Sequence, residues 1–350
     1  VSRALLIAAG GGLGDTLVAS LCVAALRERY DAVDAVVQPA HVDALNHGSG
    51  VDTIYSAMQS DRELARALRA KGYDAAVVTW ATPRTAWLAY ASGARRRVGQ
   101  ARRLYSGLFT DAVTVRSERG DTTTHWSDIL LDYARALECD TPLQVPRFAL
   151  KEVEYDEAER LLARLRIGPN DEFFIVHPTC AASPRRPVWP LAAWCALVAH
   201  LARRFCVPIL ITGTRLDGPI AAELAERSGA LSIAGKTSVG GFAALSRRAR
   251  AFVVMHSGPM HVAAAVGTPT VGLFPLRVDF PDRWRPLGPR VEIVRNAYPC
   301  PPGRDHLMET CATYDCIARF DVEGTMRALD DVLERPRASL RAGFAPRTSP

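Results

Sequence analysis

Two glycine-rich turns carry the residues best suited to chemistry. The first is Gly10-Gly11-Gly12-Leu13-Gly14-Asp15, and the second is Met255-His256-Ser257-Gly258-Pro259-Met260-His261. Each follows a short apolar run and opens a helical pattern. In the first turn the glycines at 10, 11, 12 and 14 break the G-x-G-x-x-G spacing, because position 15 is Asp. A carboxylate at a helix start suits the helix dipole but repels a pyrophosphate on the same amides. The next strand pattern ends in Gln38, where a dinucleotide site needs an acid for the ribose, so an NAD dehydrogenase is the weakest reading. Asp15 has two compatible roles. It caps its helix, or it acts as a general base for an acceptor hydroxyl that Gly12, Leu13 and Gly14 allow to approach.

The second turn has no acidic side chain. Pro259 fits the first helical turn, where its missing N–H costs nothing. Gly258 lets backbone approach a ligand, and Ser257 caps the helix or donates to a phosphate oxygen. Free amides and the dipole at such a turn favour an anion, and a pyrophosphate fits.

The elements that must position these turns form two series. Strand patterns at 4–9, 34–38 and 75–79 alternate with a helix from Thr16 to Arg29, and a further helix runs from Ser127 to Leu137. Thr141 to Pro146 reads as a linker. A second series follows, with strand patterns at 173–177, 207–212, 231–234, 251–255 and 269–274. Its helices are expected at 152–165, 191–203, 220–227, 242–249 and 261–266. Alternation of this kind predicts two parallel α/β domains, 1–150 and 151–334, with 335–350 as a mobile tail. Ligands of such sheets bind at the carboxyl ends of the strands, here in a cleft between the two.

Composition narrows the class. The 350 residues carry 43 basic and 37 acidic side chains, a net +6, which suits an acidic ligand without demanding nucleic acid. Only Lys71, Lys151 and Lys236 are lysines, so a lysine is more informative here than an arginine. No 18-residue apolar run and no cleavable leader pattern is present, which predicts a cytoplasmic protein. Eight cysteines are too sparse for a disulfide scaffold; Cys22, Cys195 and Cys206 have apolar neighbours and read as buried thiols. Trp80, Trp87, Trp126 and Trp194 read as core packing. The Arg95-Arg96-Arg97 and Arg102-Arg103 groups read as a solvated face, or as a basic face drawing a phosphorylated acceptor into the cleft. Cys300, Cys311 and Cys316, with His306 or Cys180 as a fourth ligand, could hold zinc or iron. The lack of a C-x-x-C pair favours reduced thiols and no metal.

Several segments together resemble glycosyltransferase family 9, the lipopolysaccharide heptosyltransferase family. They are Gly12-Leu13-Gly14-Asp15, the segment Gly93 to Gly99, His125, His177-Pro178 and Trp189-Pro190. Further along come Ala234-Gly235-Lys236-Thr237-Ser238, Ser257 to His261, Gly267-Thr268-Pro269-Thr270 and Trp284 to Pro289. They occur in order over roughly residues 4–330. The resemblance implies a GT-B architecture, with the acceptor on the first domain and a nucleotide-sugar on the second. It also implies inverting, metal-independent transfer from ADP-heptose as donor substrate, with no cofactor. The absence of any Asp-x-Asp pair agrees. On this reading Asp15 is the base and Arg186 counters charge on the leaving phosphate. Thr179, Lys236, Thr237, His256, Ser257, Gly258, Pro259, Met260 and His261 serve the donor.

Three departures from the family pattern bear on the donor. His256 stands where the family carries an acid, Pro187 stands where it carries the basic residue, and Thr179-Cys180 replaces a glycine. Members acting on autotransporter proteins carry an iron-binding cysteine cluster. The lipopolysaccharide core is the favoured acceptor, with peripheral contact at the inner membrane. A protein or small-molecule acceptor is the alternative. A non-catalytic nucleotide-sugar-binding protein is the rival from another class.

Overall fold

The computed structural model describes residues 1–46, 48–180, 189–276, 280–296, 317 and 320–335. The first sheet contains β1 (Arg3–Ala8), β2 (Ala32–Val37), β3 (Ile54–Ser56), β4 (Ala75–Val78), β5 (Arg96–Gln100) and β6 (Asp111–Val113). Their spatial order is β3-β2-β1-β4-β5-β6. The second contains β7 (Phe174–His177), β8 (Ile209–Ile211), β9 (Leu231–Ser232), β10 (Ala251–Met255), β11 (Thr270–Phe274) and β12 (Val291–Arg295), in the order β12-β11-β10-β7-β8-β9. Every pairing is parallel. The two windings are the same. Each chain half starts in the middle, fills one flank, then returns to fill the other. The reversal falls between β1 and β4 in one sheet and between β7 and β10 in the other, where loops diverge and leave a crevice.

The central strands are apolar along their whole length because helices cover both faces. Ala4 to Ile7, Ala75 to Val78 and Ala251 to Met255 have no exposed surface. Asp34 in β2 is a buried polar exception, as are His177 in β7 and Thr270 in β11. Asp34 is satisfied by the Thr53 amide at 3.0 Å and the Tyr73 hydroxyl at 2.7 Å. Residues 141–150 carry neither helix nor strand.

The core does not stop at that segment. Leu17, on the helix Leu13–Leu26, and Ala44 belong to one buried cluster with Phe148, Leu161, Phe242 and Met260. Apolar side chains therefore pack across the two halves.

Some expectations need correcting. Of Cys22, Cys195 and Cys206, Cys22 alone is buried, with its pKa pushed up to about 12 by burial. Cys195 is half-buried. Cys206 is exposed and ends its helix in the left-handed region, at φ 53°. Trp194 packs the core, but Trp80 and Trp87 are 40% and 38% exposed. Most of the basic face is committed to local partners. Arg96 binds Asp111 and the Ala136 carbonyl, Arg97 binds the Leu108 and Ala94 carbonyls, and Arg103 binds Glu118.

Candidate active site

The loop after β1 brings the backbone to the helix Leu13–Leu26, with Gly12 in the N-cap position. Asp15 is therefore the third residue of the helix and not its cap. Its Oδ2 accepts the Gly12 amide at 2.7 Å, closing the turn back on itself. Oδ1 is buried and has no hydrogen bond. Burial raises the Asp15 pKa. The Gly12 amide, the neighbouring Trp126 indole N–H and the residue's own amide oppose that rise.

Three indoles stand in a row beside this turn, and Trp126 is the one that neighbours the carboxyl. Trp80 follows β4, on the other side of the reversal point, and lies across Gly10; a Cβ there would sit 2.2 Å from its ring. Trp126 opens the helix Trp126–Arg135, and its ring meets Trp80 edge-on with centroids 6.4 Å apart. Trp284, from the second half, lies 5.0 Å from Trp126. The Trp126 Nε1 is buried and also lacks a hydrogen bond.

The second half supplies the facing wall. The helix Gly258–Ala265 starts directly after β10 and Ser257, and its N-terminus abuts that of the helix Leu13–Leu26. The approach is close enough to require glycine on both sides. A Cβ on Gly14 would lie 2.9 Å from His261 Cδ2 and 3.2 Å from Gly258 Cα, and one on Gly258 would lie 3.0 Å from the Gly14 nitrogen. Two positive helix ends thus converge beside Asp15.

Ser257 is the N-cap, but its hydroxyl donates to the Met255 carbonyl at 3.0 Å and makes no capping bond. The Met260 amide is used by the Ser257 carbonyl and Pro259 has none, which leaves the Ser257 and Gly258 amides as the donors this turn offers an anion. His261 is buried and held neutral, its pKa pushed down to about 3 by burial and then by nearby His125. His256 is half-buried, stacks on Phe274 at 5.4 Å and has Nδ1 3.3 Å from the Leu273 carbonyl.

His125 and Arg283 fasten the halves. His125 Nε2 donates to the Arg285 carbonyl at 2.7 Å, while its Nδ1 accepts the Ser127 amide at 3.1 Å. That pattern fixes the neutral Nε2–H tautomer, and burial lowers the ring's pKa in the same sense. Arg283, only 8% exposed, donates to the Asp121 carbonyl.

The remaining candidates lie along the second sheet. Thr179 is buried after β7, its hydroxyl 3.3 Å from His177 Nε2. Lys236 is exposed beyond β9, where Nζ donates to the Ser232 carbonyl at 2.8 Å. It lines a cleft of about 540 Å³ with Arg160, Arg164 and Glu157. Half-buried Thr237 is next to it. The strand order separates this group from the β10 turn by three strand spacings, roughly 14 Å at ~4.8 Å each. The structure thus gathers Gly12, Leu13, Gly14, Asp15, Ser257, Gly258, Pro259, Met260 and His261 at one point. Lys236 and Thr237 stand at the far end of the same strand-end edge. Arg186, the thiols Cys300, Cys311 and Cys316 with His306, and the tail 336–350 lie outside the described residues.

Sequence reasoning missed the indole wall. Trp80 and Trp126 were assigned to the core on composition, and Trp284 was noted only within a motif. Their position at strand ends and helix starts beside the first glycine turn was the available signal.

Two doubly wound parallel sheets with their strand ends turned toward a shared crevice define a GT-B glycosyltransferase architecture. The chain belongs to glycosyltransferase family 9 (heptosyltransferase), whose family model matches residues 62–311. Among similar solved structures is the family 9 glycosyl transferase of Veillonella parvula, at 17% identity and TM-score 0.80, covering 95% of this chain and 97% of that one. Another is the E. coli ADP-heptose lps heptosyltransferase II, at 20% identity and TM-score 0.76, covering 95% and 98%. The E. coli heptosyltransferase WaaC, solved with ADP, matches at 17% identity and TM-score 0.68 over 94% of this chain and 99% of that one. Among the described residues no helix is long and apolar enough to cross a membrane.

Proposed function

We propose that the protein moves a heptose from ADP-heptose to an acceptor hydroxyl, with inversion and without a metal. Asp15 is the general base, and the acceptor is a lipopolysaccharide core. The observation that carries this reading is the Asp15 carboxyl. One oxygen is tied to the Gly12 amide, and the other is buried and unbonded where two helix N-termini meet. Tethering one oxygen aims the other, and a raised pKa makes it a better proton acceptor.

In the reaction the acceptor O–H gives its proton to Asp15 Oδ1. Its oxygen forms a bond to the anomeric carbon as the bond from that carbon to the diphosphate oxygen breaks. ADP leaves with the electron pair, and attack from the face opposite the leaving group inverts the centre. The Ser257 and Gly258 amides and the converging helix ends share the negative charge on ADP, with Arg186 adding a cation. ADP bound at the β10 turn and extended along the strand ends has its nucleoside near Lys236 and Thr237, a span consistent with three strands. WaaC, a structural neighbour, is solved with ADP and with ADP-2-deoxy-2-fluoro heptose, which supports the donor class. A core acceptor places the protein in the cytoplasm, in peripheral contact with the inner membrane.

Asp15→Asn tests the reading. It keeps an oxygen for the Gly12 amide but removes the base. ADP release from ADP-heptose, with lipopolysaccharide core oligosaccharide as acceptor, is expected to fall ~10²–10⁴-fold with ADP affinity unchanged. Full activity in this variant would leave Asp15 a purely structural residue and move the base elsewhere, whereas a wild-type protein that binds ADP-heptose but releases no ADP would favour a nucleotide-sugar-binding protein.

A further inference from the structure

A cleft of about 540 Å³ opens between the helix Glu152–Arg164 and the segment that follows β9. Glu157, Arg160, Leu161, Arg164 and Leu165 recur at intervals of three and four residues, so they share one face of the helix. Lys236 lines the cleft from the other segment. Three cations and one acid therefore surround the space, and the acid is already engaged. Glu157 accepts the Ser238 amide on Oε1 and the Ser238 hydroxyl on Oε2, both at 2.6 Å, at the start of the helix Val239–Arg248. The cations have no such match. Arg164 has no hydrogen bond or ion pair among the described residues. Arg160 reaches only Asp156, at 3.5 Å and largely in solvent. Lys236 Nζ donates to the Ser232 carbonyl at 2.8 Å, which bears no full charge. Glu159, on the same helix, faces Arg248 at 4.0 Å. A concave surface with uncompensated positive charge concentrates anions.

We propose that this cleft is a second anion site, which takes a phosphate monoester carried on a carbon body. Arg160 and Arg164 stand one helical turn apart, ~5–6 Å between their Cβ atoms, within reach of one phosphate group. Their planar forks suit phosphate oxygens, and the Lys236 ammonium adds a point charge. Leu161 and Leu165 give the carbon body an apolar surface. The volume is that of a small-molecule site and exceeds what a lone phosphate fills. The donor does not account for these charges. Its diphosphate belongs at the β10 turn, three strand spacings away, and the nucleoside placed near Lys236 is uncharged. The site is therefore additional to the donor reading and does not rest on it. Val153 on the same helix and Leu231 in β9 are exposed apolar side chains. The headgroup of an anionic lipid is thus one source of the phosphate, and a soluble phosphate monoester is the other.

Glycerol 3-phosphate is the soluble probe, and phosphatidylcholine vesicles with and without phosphatidic acid are the membrane probe. Each is titrated against the full chain in saturating ADP, which fills the donor site. Arg160→Gln/Arg164→Gln removes two cations from an exposed helix face and keeps good helix formers there. Arg69→Gln/Arg203→Gln is the control, because it removes the same charge from two exposed positions outside the cleft. The expected result is that at least one probe binds with ADP present and binds roughly tenfold or more weakly to the first variant. The control variant is expected to bind as the wild type does, and ADP affinity is expected to be the same in all three proteins. Binding of glycerol 3-phosphate assigns a soluble ligand. Binding only of vesicles that contain phosphatidic acid assigns a headgroup. No binding of either probe, an equal loss in both variants, or binding abolished by ADP overturns the proposal. So does a loss of ADP affinity in Arg160→Gln/Arg164→Gln, since the cleft would then be part of the donor site. A wild-type chain that binds no ADP removes the donor reading and leaves this test intact.

Discussion

Replacing Gly14 with alanine should make the first helix better and the enzyme worse. Gly14 sits inside the helix Leu13–Leu26, where alanine is favoured by up to ~1 kcal/mol. The added methyl, however, points at the other half. It would lie 2.9 Å from His261 Cδ2 and 3.2 Å from the Cα of Gly258. The ring of His261 is buried and the Gly258 contact is backbone, so neither yields by turning a flexible side chain. Overpacking of this kind costs ~1–3 kcal/mol, which leaves up to about 2 kcal/mol against the contact after the helical gain. That is up to a roughly 30-fold smaller population with the two helix ends in contact, read as the same loss in kcat/KM. The assay pairs ADP release with thermal unfolding. The expected signature is a fall in kcat/KM while thermal unfolding still shows a folded, cooperative chain. Unchanged kcat/KM in Gly14→Ala would refute the argument that catalysis requires these two helix ends in contact.

Two further outcomes follow from side chains away from the reacting centre. His177 and His261 are held neutral by burial, with pKa values pushed down to about 4 and about 3 from an ordinary 6.5. The unfolded chain therefore takes up protons first, and their contribution, complete above pH ~6.5, is lost as pH falls toward those values, by about 2 kcal/mol for each at pH 5. Melting temperature should fall from pH 7 to pH 5, and His177→Gln should flatten that slope. Cys206→Gly should stabilise the protein by about 1 kcal/mol, since it relieves a left-handed conformation at the end of the helix Leu191–Phe205. Differential scanning calorimetry should show a small rise in melting temperature.

The interior strands were legible because they are short, apolar and bounded by turns. β1, β4, β7 and β10 coincide with runs that composition alone marks. The expected runs at 34–38, 207–212, 231–234 and 269–274 also fall on β2, β8, β9 and β11, but β3, β5, β6 and β12 had no such run. β5 begins Arg96-Arg97, β3 and β6 have three residues each, and β12 carries Glu292 and Arg295. Half-exposed strands at a sheet's margin take their identity from pairing with a neighbour and not from their own pattern. In the site, both glycine turns and Asp15 were visible. The exact helical position of Asp15 was not, since Gly12 caps without a side chain and the carboxylate folds back to it. The bond from His125 to the Arg285 carbonyl joins residues 160 positions apart, and no local pattern encodes it. Trp80 and Trp126 show the same limit, because an indole's type does not say whether its polar edge is satisfied.

The cluster that joins Leu17 and Ala44 to Phe148, Phe242 and Met260 gives this enzyme a thermometer. Bringing the halves together there removes hydrocarbon surface from water, and that driving force weakens on cooling. Cold is therefore expected to act on this protein twice, once on the barrier to bond-making and once on the packing that holds the two halves of the site together. The temperature coefficient of turnover should steepen toward the freezing point, and the curvature belongs to the seam between the halves and not to the chemistry beside it.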